Sequence, residues 1–255
     1  MESLIIEEKK DGIVRLTLNR PEARNALSKA LAEEMYILLD KNGADPEVRA
    51  LVIIGSGDKA FSAGADLKER KAFTPQQRWN QTQTLQRFIS KIESIPVPVI
   101  AAIRGFCLGG GLETALACDI RIGSETAEFS FPEMTLGAFP GSGGPVRLTR
   151  IVGIAAAKEL LMTARRINAQ EALRIGLIQK LVPDAELESA VGAICEEIKK
   201  STRHGVAAVK KIVNLTPDVG IENALDYSNV LREPMDGTAV YDEGLKSFFA
   251  QKNAK

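Results

Sequence analysis

The sequence predicts an α/β fold with parallel strand pairing, closed by a helical C-terminal region. Three observations carry that reading. Strand, turn and helix patterns alternate through the first part of the chain; the segments 49–54 and 98–103 are nearly unbroken apolar runs, as strands covered on both faces are; and beyond about Pro140 strand patterns give way to helices.

Each element follows from its local pattern. Ile13-Val14-Arg15-Leu16-Thr17-Leu18 alternates and is rich in β-branched residues, which predicts a strand with one polar face. Leu27, Leu31, Met35, Leu38 and Leu39 recur at steps of three and four, which predicts a helix with Ser28 as N-cap and Gly43 as its stop. Arg49 to Ile54 is the next strand. The polar segment from Thr74 to Ser94, with Leu85, Phe88, Ile89 and Ile92 on one face, is an amphipathic helix ended by Pro96 and Pro98. Pro98 to Ile103 is a buried strand, followed by a glycine-rich turn, a short helix through Ala117 and a strand from Asp119 to Ile122. Helices are expected at 155–162, 169–175, 187–199, 206–213, 221–231 and 240–249, so the chain divides into a core over 1–200 and a helical region over 201–255.

Composition excludes several function classes. The chain has 255 residues, with 33 basic and 33 acidic side chains, so no global field draws in a nucleic acid backbone or an anionic membrane. Aromatic residues make up only 5% and no basic run interleaves them, which argues against an RNA-binding role. No apolar stretch approaches the roughly 20 residues of a membrane span, and the start lacks a basic region followed by an apolar one, so a cytoplasmic protein is expected. Cys107, Cys118 and Cys195 form no C-x-x-C pair, and the solitary His204 excludes any site built on two imidazoles; no metal site is expected.

Three segments carry chemistry. Phe61-Ser62-Ala63-Gly64-Ala65-Asp66-Leu67-Lys68-Glu69 follows a strand; its small residues let a ligand approach the main chain, and Asp66 suits a helix cap, although a tight turn explains it equally. Gly105 to Glu113, with three consecutive glycines at 109–111, places free N–H groups at a helix N-terminus, an oxyanion site in outline. Glu113 stands there either as a functional carboxylate or as a complement to the helix dipole. Glu133 follows Pro132 in a largely apolar stretch, a costly place for a carboxylate unless it is paired or used. The glycines and Pro145 that follow Phe139 read as a loop entering a helix. No phosphate-binding loop, dinucleotide fingerprint or nucleophile elbow occurs. Two carboxylates 20 residues apart and two turns with spare N–H groups suit proton transfer beside a carbonyl whose oxygen becomes negative.

At these segments the sequence resembles the crotonase family, also called enoyl-CoA hydratase/isomerase. The ordered blocks are Leu18-Asn19-Arg20-Pro21 with Asn25-Ala26-Leu27, Ala63 to Leu67, Gly105 to Glu113, Ala117-Cys118-Asp119, Pro132-Glu133 and Gly141-Ser142-Gly143-Gly144. The resemblance implies a crotonase-like spiral of ββα units with a C-terminal helical trimerisation region, assembled as a homotrimer or hexamer. It implies that the backbone N–H groups of Ala65 and Gly110 form the oxyanion hole and that Glu113 and Glu133 are the two glutamates of the hydratases. Ala23, Arg24, Ala63, Asp66, Leu67 and Lys68 would hold coenzyme A, and Leu108, Gly109, Pro132, Phe139 and Gly141 would line the substrate pocket. No permanently bound cofactor is implied; the acyl-coenzyme A thioester is the substrate.

The implied reaction is hydration of a 2-enoyl-CoA in fatty-acid metabolism, with Glu113 mainly activating water and Glu133 mainly handling the α-proton. Isomerisation, a specialised hydroxyacyl-CoA dehydration and a methylglutaconyl-CoA-type hydration stand as alternatives, the last because the string Ala63 to Arg70 is similar in those hydratases. Three departures bear on coenzyme A affinity and the acyl pocket. The usual Thr-Gln-Arg is Pro145-Val146-Arg147, Glu22 replaces a basic residue, and a C-terminal lysine is displaced, with Gln251 and then Lys252 near its place.

Overall fold

The computed structural model describes residues 3–253, with side chains described through Phe249. The chain opens with a hairpin of β1 (Ile5–Lys10) and β2 (Ile13–Leu18), turned by Asp11 and Gly12, both at positive φ. It continues through α1 (Lys29–Ala44), β3 (Ala50–Gly55), β4 (Ala60–Ser62), α2 (Leu67–Ala72), α3 (Pro75–Ser94), β5 (Val99–Ile103), β6 (Phe106–Leu108), α4 (Gly110–Ala117), β7 (Ile120–Ser124) and β8 (Glu128–Ser130). After a 3-10 turn at Pro132–Leu136 come α5 (Gly144–Thr163), β9 (Ile167–Asn168), α6 (Ala169–Arg174), β10 (Lys180–Val182), α7 (Leu187–Lys199), α8 (Arg203–Leu215), α9 (Ile221–Asp236) and α10 (Ala239–Asn253).

A spiral emerges from how the strands are shared out. The six-stranded sheet runs β1-β2-β3-β5-β7-β10 and is parallel apart from the first hairpin; the four-stranded sheet runs β4-β6-β8-β9. Three times in succession the chain lays a long strand in the large sheet, a short strand in the small one, and then a helix: β3, β4, α2; β5, β6, α4; β7, β8, α5. Both faces of the large sheet are covered. Leu51, Ile53, Val99 and Ala101 pack with Leu31, Met35, Phe88 and Ile89 of α1 and α3, while Val52, Ile54, Ile100 and Ala102 pack with Leu187, Val191 and Cys195 of α7. That two-sided burial is why β3 and β5 are unbroken apolar runs.

Two expectations need correction. Strands do not stop at Pro140, because β9 and β10 lie beyond it; at two and three residues they are too short to show a period. Gly43 does not end α1, which reaches Ala44; a side chain there would press within 2.8 Å of Ile95 Cγ2, so the glycine lets the helix approach the end of α3. Ser28 does cap α1, and Thr74 caps α3 with Gln77 closing a capping box. At the C-terminal end, α8 is fastened by the buried Lys210, whose Nζ reaches Ile92 O at 2.8 Å, Val97 O at 3.0 Å and Asp119 Oδ2 at 2.8 Å. Helices α9 and α10 carry exposed Leu225, Val230, Val240, Leu245 and Phe248.

Candidate active site

The small sheet brings the two glycine-rich turns together. β4 and β6 are parallel neighbours, so the segments leaving their C-terminal ends, Ala63–Ala65 and Gly109–Gly110, lie side by side. Gly64 adopts φ +90 and Gly109 φ +50, conformations L side chains rarely adopt. A Cβ on Gly64 would stand 3.1 Å from the Gly110 nitrogen, and one on Gly110 would stand 3.4 Å from the Ala65 nitrogen. The adjoining amides are committed: Ala63 N donates to Arg24 O at 2.9 Å, Asp66 N to Leu27 O at 3.1 Å and Gly109 N to Ser130 O at 2.9 Å. The amides of Ala65 and Gly110 find no acceptor among the described residues. Gly110 is also the first residue of α4, so the helix dipole adds to the positive field there.

Glu113 is buried in α4, and its Oε1 accepts from Ser142 N and Gly144 N, both at 2.8 Å. Its partners are therefore loop amides entering α5, not the N-terminus of its own helix. Burial raises its pKa, opposed by those two hydrogen bonds and by the charge of Arg147. The loop is itself held: Arg147 Nη1 donates to Ser142 O at 2.7 Å, while its Nε and Nη2 reach the Glu93 carboxylate of α3 at 2.9 and 2.5 Å.

Glu133 sits in the 3-10 turn after Pro132. A side chain on Gly109 would collide with Glu133 Oε1, so the missing Cβ at 109 makes room for the carboxylate. Its Oε2 is buried without a hydrogen-bond partner among the described residues. Burial, aided by the nearby charge of Glu113, pushes its pKa up to about 7.

A cleft of about 100 Å³ joins these groups. Among its lining residues are Ala63, Ala65, Leu67, Gly109, Gly110, Glu113, Pro132, Glu133, Phe139 and Gly141, all expected from the sequence. Leu108 is buried behind the cleft, its carbonyl against Gly64. Asp66 caps α2 through Lys68 N and Glu69 N and pairs with Arg20 at 2.9 Å, so its side chain is occupied in ordering the turn. Ala23 is half-buried in a short 3-10 turn, while Arg24 and Lys68 are exposed; the Arg24 guanidinium lies over the Phe106 ring. Gln251 and Lys252 have side chains outside those described. His204 is exposed at the start of α8, and the three cysteines are buried and free. Among the described residues no helix is long and apolar enough to cross a membrane.

Sequence reasoning missed three groups: Arg147, which braces the loop; the amides of Ser142 and Gly144, which orient Glu113; and Arg70, which lines the cleft from α2. The strings Ala63 to Arg70, Gly141 to Gly144 and Pro145-Val146-Arg147 drew notice in the sequence, but none of them disclosed these roles.

Comparison with known proteins shows the family of the chain. A family model described as enoyl-CoA hydratase/isomerase matches residues 8–255. The chain is 39% identical to the short-chain-enoyl-CoA hydratase of Clostridium acetobutylicum over 225 residues, 88% of this chain and 86% of that protein. It is 38% identical over 250 residues to the crotonyl-CoA hydratase of Syntrophomonas wolfei, covering 98% and 96% of the two chains. The crystal structure of an enoyl-CoA hydratase from Bacillus anthracis superposes with a TM-score of 0.96 at 37% identity, covering 98% of this chain and 97% of that one. The chain therefore belongs to the enoyl-CoA hydratase/isomerase family.

Proposed function

We propose that the protein is an enoyl-CoA hydratase that adds water reversibly across the double bond of a 2-enoyl-CoA thioester. The observation that carries this reading is the pair Glu113 and Glu133 lining one cleft beside the two uncommitted amides of Ala65 and Gly110. The thioester oxygen would accept from both amides, which stabilise it most when it becomes enolate-like. Glu113, whose two N–H partners and the charge of Arg147 offset part of the rise that burial causes, acts as the base and takes the proton of a bound water as its oxygen bonds to Cβ. Glu133, protonated in part near neutrality, delivers its proton to Cα. The proton gained by Glu113 then returns to Glu133 through solvent, and the net change is one water added.

The coenzyme A part would run over Ala63 to Lys68, with Ala23 and Arg24 at its edge. No bound metal enters this chemistry; the coenzyme arrives as part of the substrate. A homotrimer, or two trimers as a hexamer, is the assembly this reading implies, supported by the exposed apolar side chains of α9 and α10.

Loss of the enoyl-thioester absorbance with crotonyl-CoA tests the activity. The wild type should consume it, and Glu113→Gln or Glu133→Gln should each lower kcat by about 10²- to 10⁴-fold. Full activity in either variant sinks the two-carboxylate mechanism.

A further inference from the structure

The block from Leu18 to Leu27 has no part in this chemistry so far, yet it holds a strained and buried residue. Arg24 and Asn25 adopt φ values of 52° and 54°, two successive left-handed residues that both carry side chains. Asn25 is fully buried with every polar group bonded. Its N donates to Arg20 O at 2.8 Å, its Oδ1 accepts from Arg20 N at 3.1 Å, and its Nδ2 donates to Ser56 O at 3.0 Å and Ala60 O at 2.8 Å. Gly55 makes room for that amide, since a Cβ there would stand 2.6 Å from Nδ2. The strain is thus fixed from several sides, and the Asn25 carbonyl is left facing the end of β4.

Ser62, the last residue of β4, is also fully buried and uses its hydroxyl twice. Oγ donates to Asn25 O at 2.7 Å and accepts from Gly64 N at 3.2 Å. On the other side of Gly64, its carbonyl accepts from Leu27 N at 2.8 Å. That carbonyl belongs to the same planar, trans peptide as the Ala65 N–H, so the N–H must point the opposite way. Both sides of Gly64 are therefore pinned by the 20–27 segment, one directly and one through Ser62. The same serine braces the second amide. A Cβ on Gly111 would press on Ser62 O and stand 2.8 Å from Ser62 Cβ, so the first turn of α4, which carries the Gly110 N–H, rests on Ser62.

We infer that Ser62 is the positioning residue of the oxyanion hole: its hydroxyl, held by the strained Asn25 carbonyl, fixes the Gly64–Ala65 peptide against α4 and sets how the Ala65 and Gly110 amides converge. Ser62 does not line the cleft and acts only through those amides. The inference rests on the oxyanion-hole part of the hydratase reading.

The test measures Ser62→Ala and Ser62→Cys with crotonyl-CoA and with bound 4-dimethylaminocinnamoyl-CoA, a push–pull chromophore whose absorbance moves to the red as hydrogen bonds polarise its carbonyl. Ser62→Ala should lower kcat by about tenfold with KM within about twofold, because a misplaced amide costs most when the oxygen becomes negative. It should also reduce the red shift and leave both midpoints of the pH–rate profile at their wild-type values. Ser62→Cys, nearly isosteric with a weaker donor, should fall between the two. Wild-type kcat and red shift in a folded Ser62→Ala overturn the inference. So does a lowered kcat with a full red shift or moved midpoints, because that traces the loss to the glutamates. If Ser62→Ala fails to fold, Ser62→Cys decides by the same readings. If the wild type hydrates no enoyl-CoA, the hydratase reading fails separately and the chromophore decides alone. A wild-type red shift that Ser62→Ala diminishes supports the positioning role, and an equal or absent shift overturns it.

Discussion

Burial holds Glu133 in a state that opposes folding once its carboxyl ionises. Its carboxyl titrates at about 7 in the fold, well above an ordinary glutamate, so the folded state binds a proton that the unfolded state has released. Stability from this residue is therefore full at pH 4 and is lost as pH rises through about 7. Replacing it with the neutral isostere removes that loss. Glu133→Gln should raise Tm by a few degrees at pH 8 and hardly change it at pH 4.5, while activity collapses; equal shifts at both values would show that the carboxyl is not perturbed by the fold. The same titration sets the rate profile. On the proposed mechanism Glu133 acts protonated and Glu113 ionised, so kcat/KM should fall on the alkaline side with a midpoint near 7. Glu113, raised by burial, sets the acid limb. A flat profile between pH 6 and 9 would remove Glu133 as the acid. Gly109 supports this state sterically: Gly109→Ala meets both a positive φ and Glu133 Oε1, and should cost activity as severely as changing the glutamate.

The turn from Gly141 to Gly144 decides where Glu113 points, and Arg147 decides where that turn sits. Its guanidinium spans Ser142 O and the Glu93 carboxylate, linking α5 to α3. Arg147→Met should lower kcat by about tenfold with little change in KM, and should move the acid limb of the pH profile upward, because it also removes a positive charge from Glu113. Unchanged kcat would mean that the two loop amides hold Glu113 unaided. These connections explain which parts of the molecule the sequence disclosed. Leu51–Ile54 and Val99–Ile103 were legible because two-sided burial writes itself as a continuous apolar run. Ser28 and Asp66 were legible because a cap and its helix are neighbours in sequence. β4, β6, β8 and β9 were not, since segments of two or three residues carry no period, and their pairing joins residues far apart in the chain. Glu113 and Glu133 stood out as carboxylates beside glycine or in apolar surroundings. Arg147, Ser142 and Arg70 did not, because each acts through a partner that only the fold supplies.

At the scale of the molecule, the core is closed by two-sided sheet packing, but its last two helices are not. α8 is bolted down by Lys210, whose ammonium bridges two backbone carbonyls and Asp119. α9 and α10, which follow it, leave Ile221, Leu225, Val230, Val240, Phe248 and Phe249 in solvent, each more than half exposed. A groove of about 1360 Å³ runs between these helices, α8 and the edge of the core, walled by Val230, Leu231, Met235 and Tyr241. Apolar surface on this scale marks association, and a chain with 33 charges of each sign sets no net repulsion against its own copies. On the proposed homotrimer or hexamer, sedimentation of the wild type at micromolar concentration should give a mass of three or six chains. A Val230→Glu, Phe248→Glu double variant should shift that mass to one chain, while a native circular dichroism spectrum is retained; a monomeric wild type would end the argument. Lys210 supplies the internal control. Lys210→Met strands Asp119 beside two unpaired carbonyls, which should cost roughly 3–5 kcal/mol. On the proposed assembly it should also loosen the association, because α8 carries α9 and α10. If the helical region were an independent appendage, Lys210→Met would lower Tm and leave the sedimenting mass at its wild-type value. Coupled loss of both would make the anchor of α8 the joint through which the core and the assembly stabilise each other.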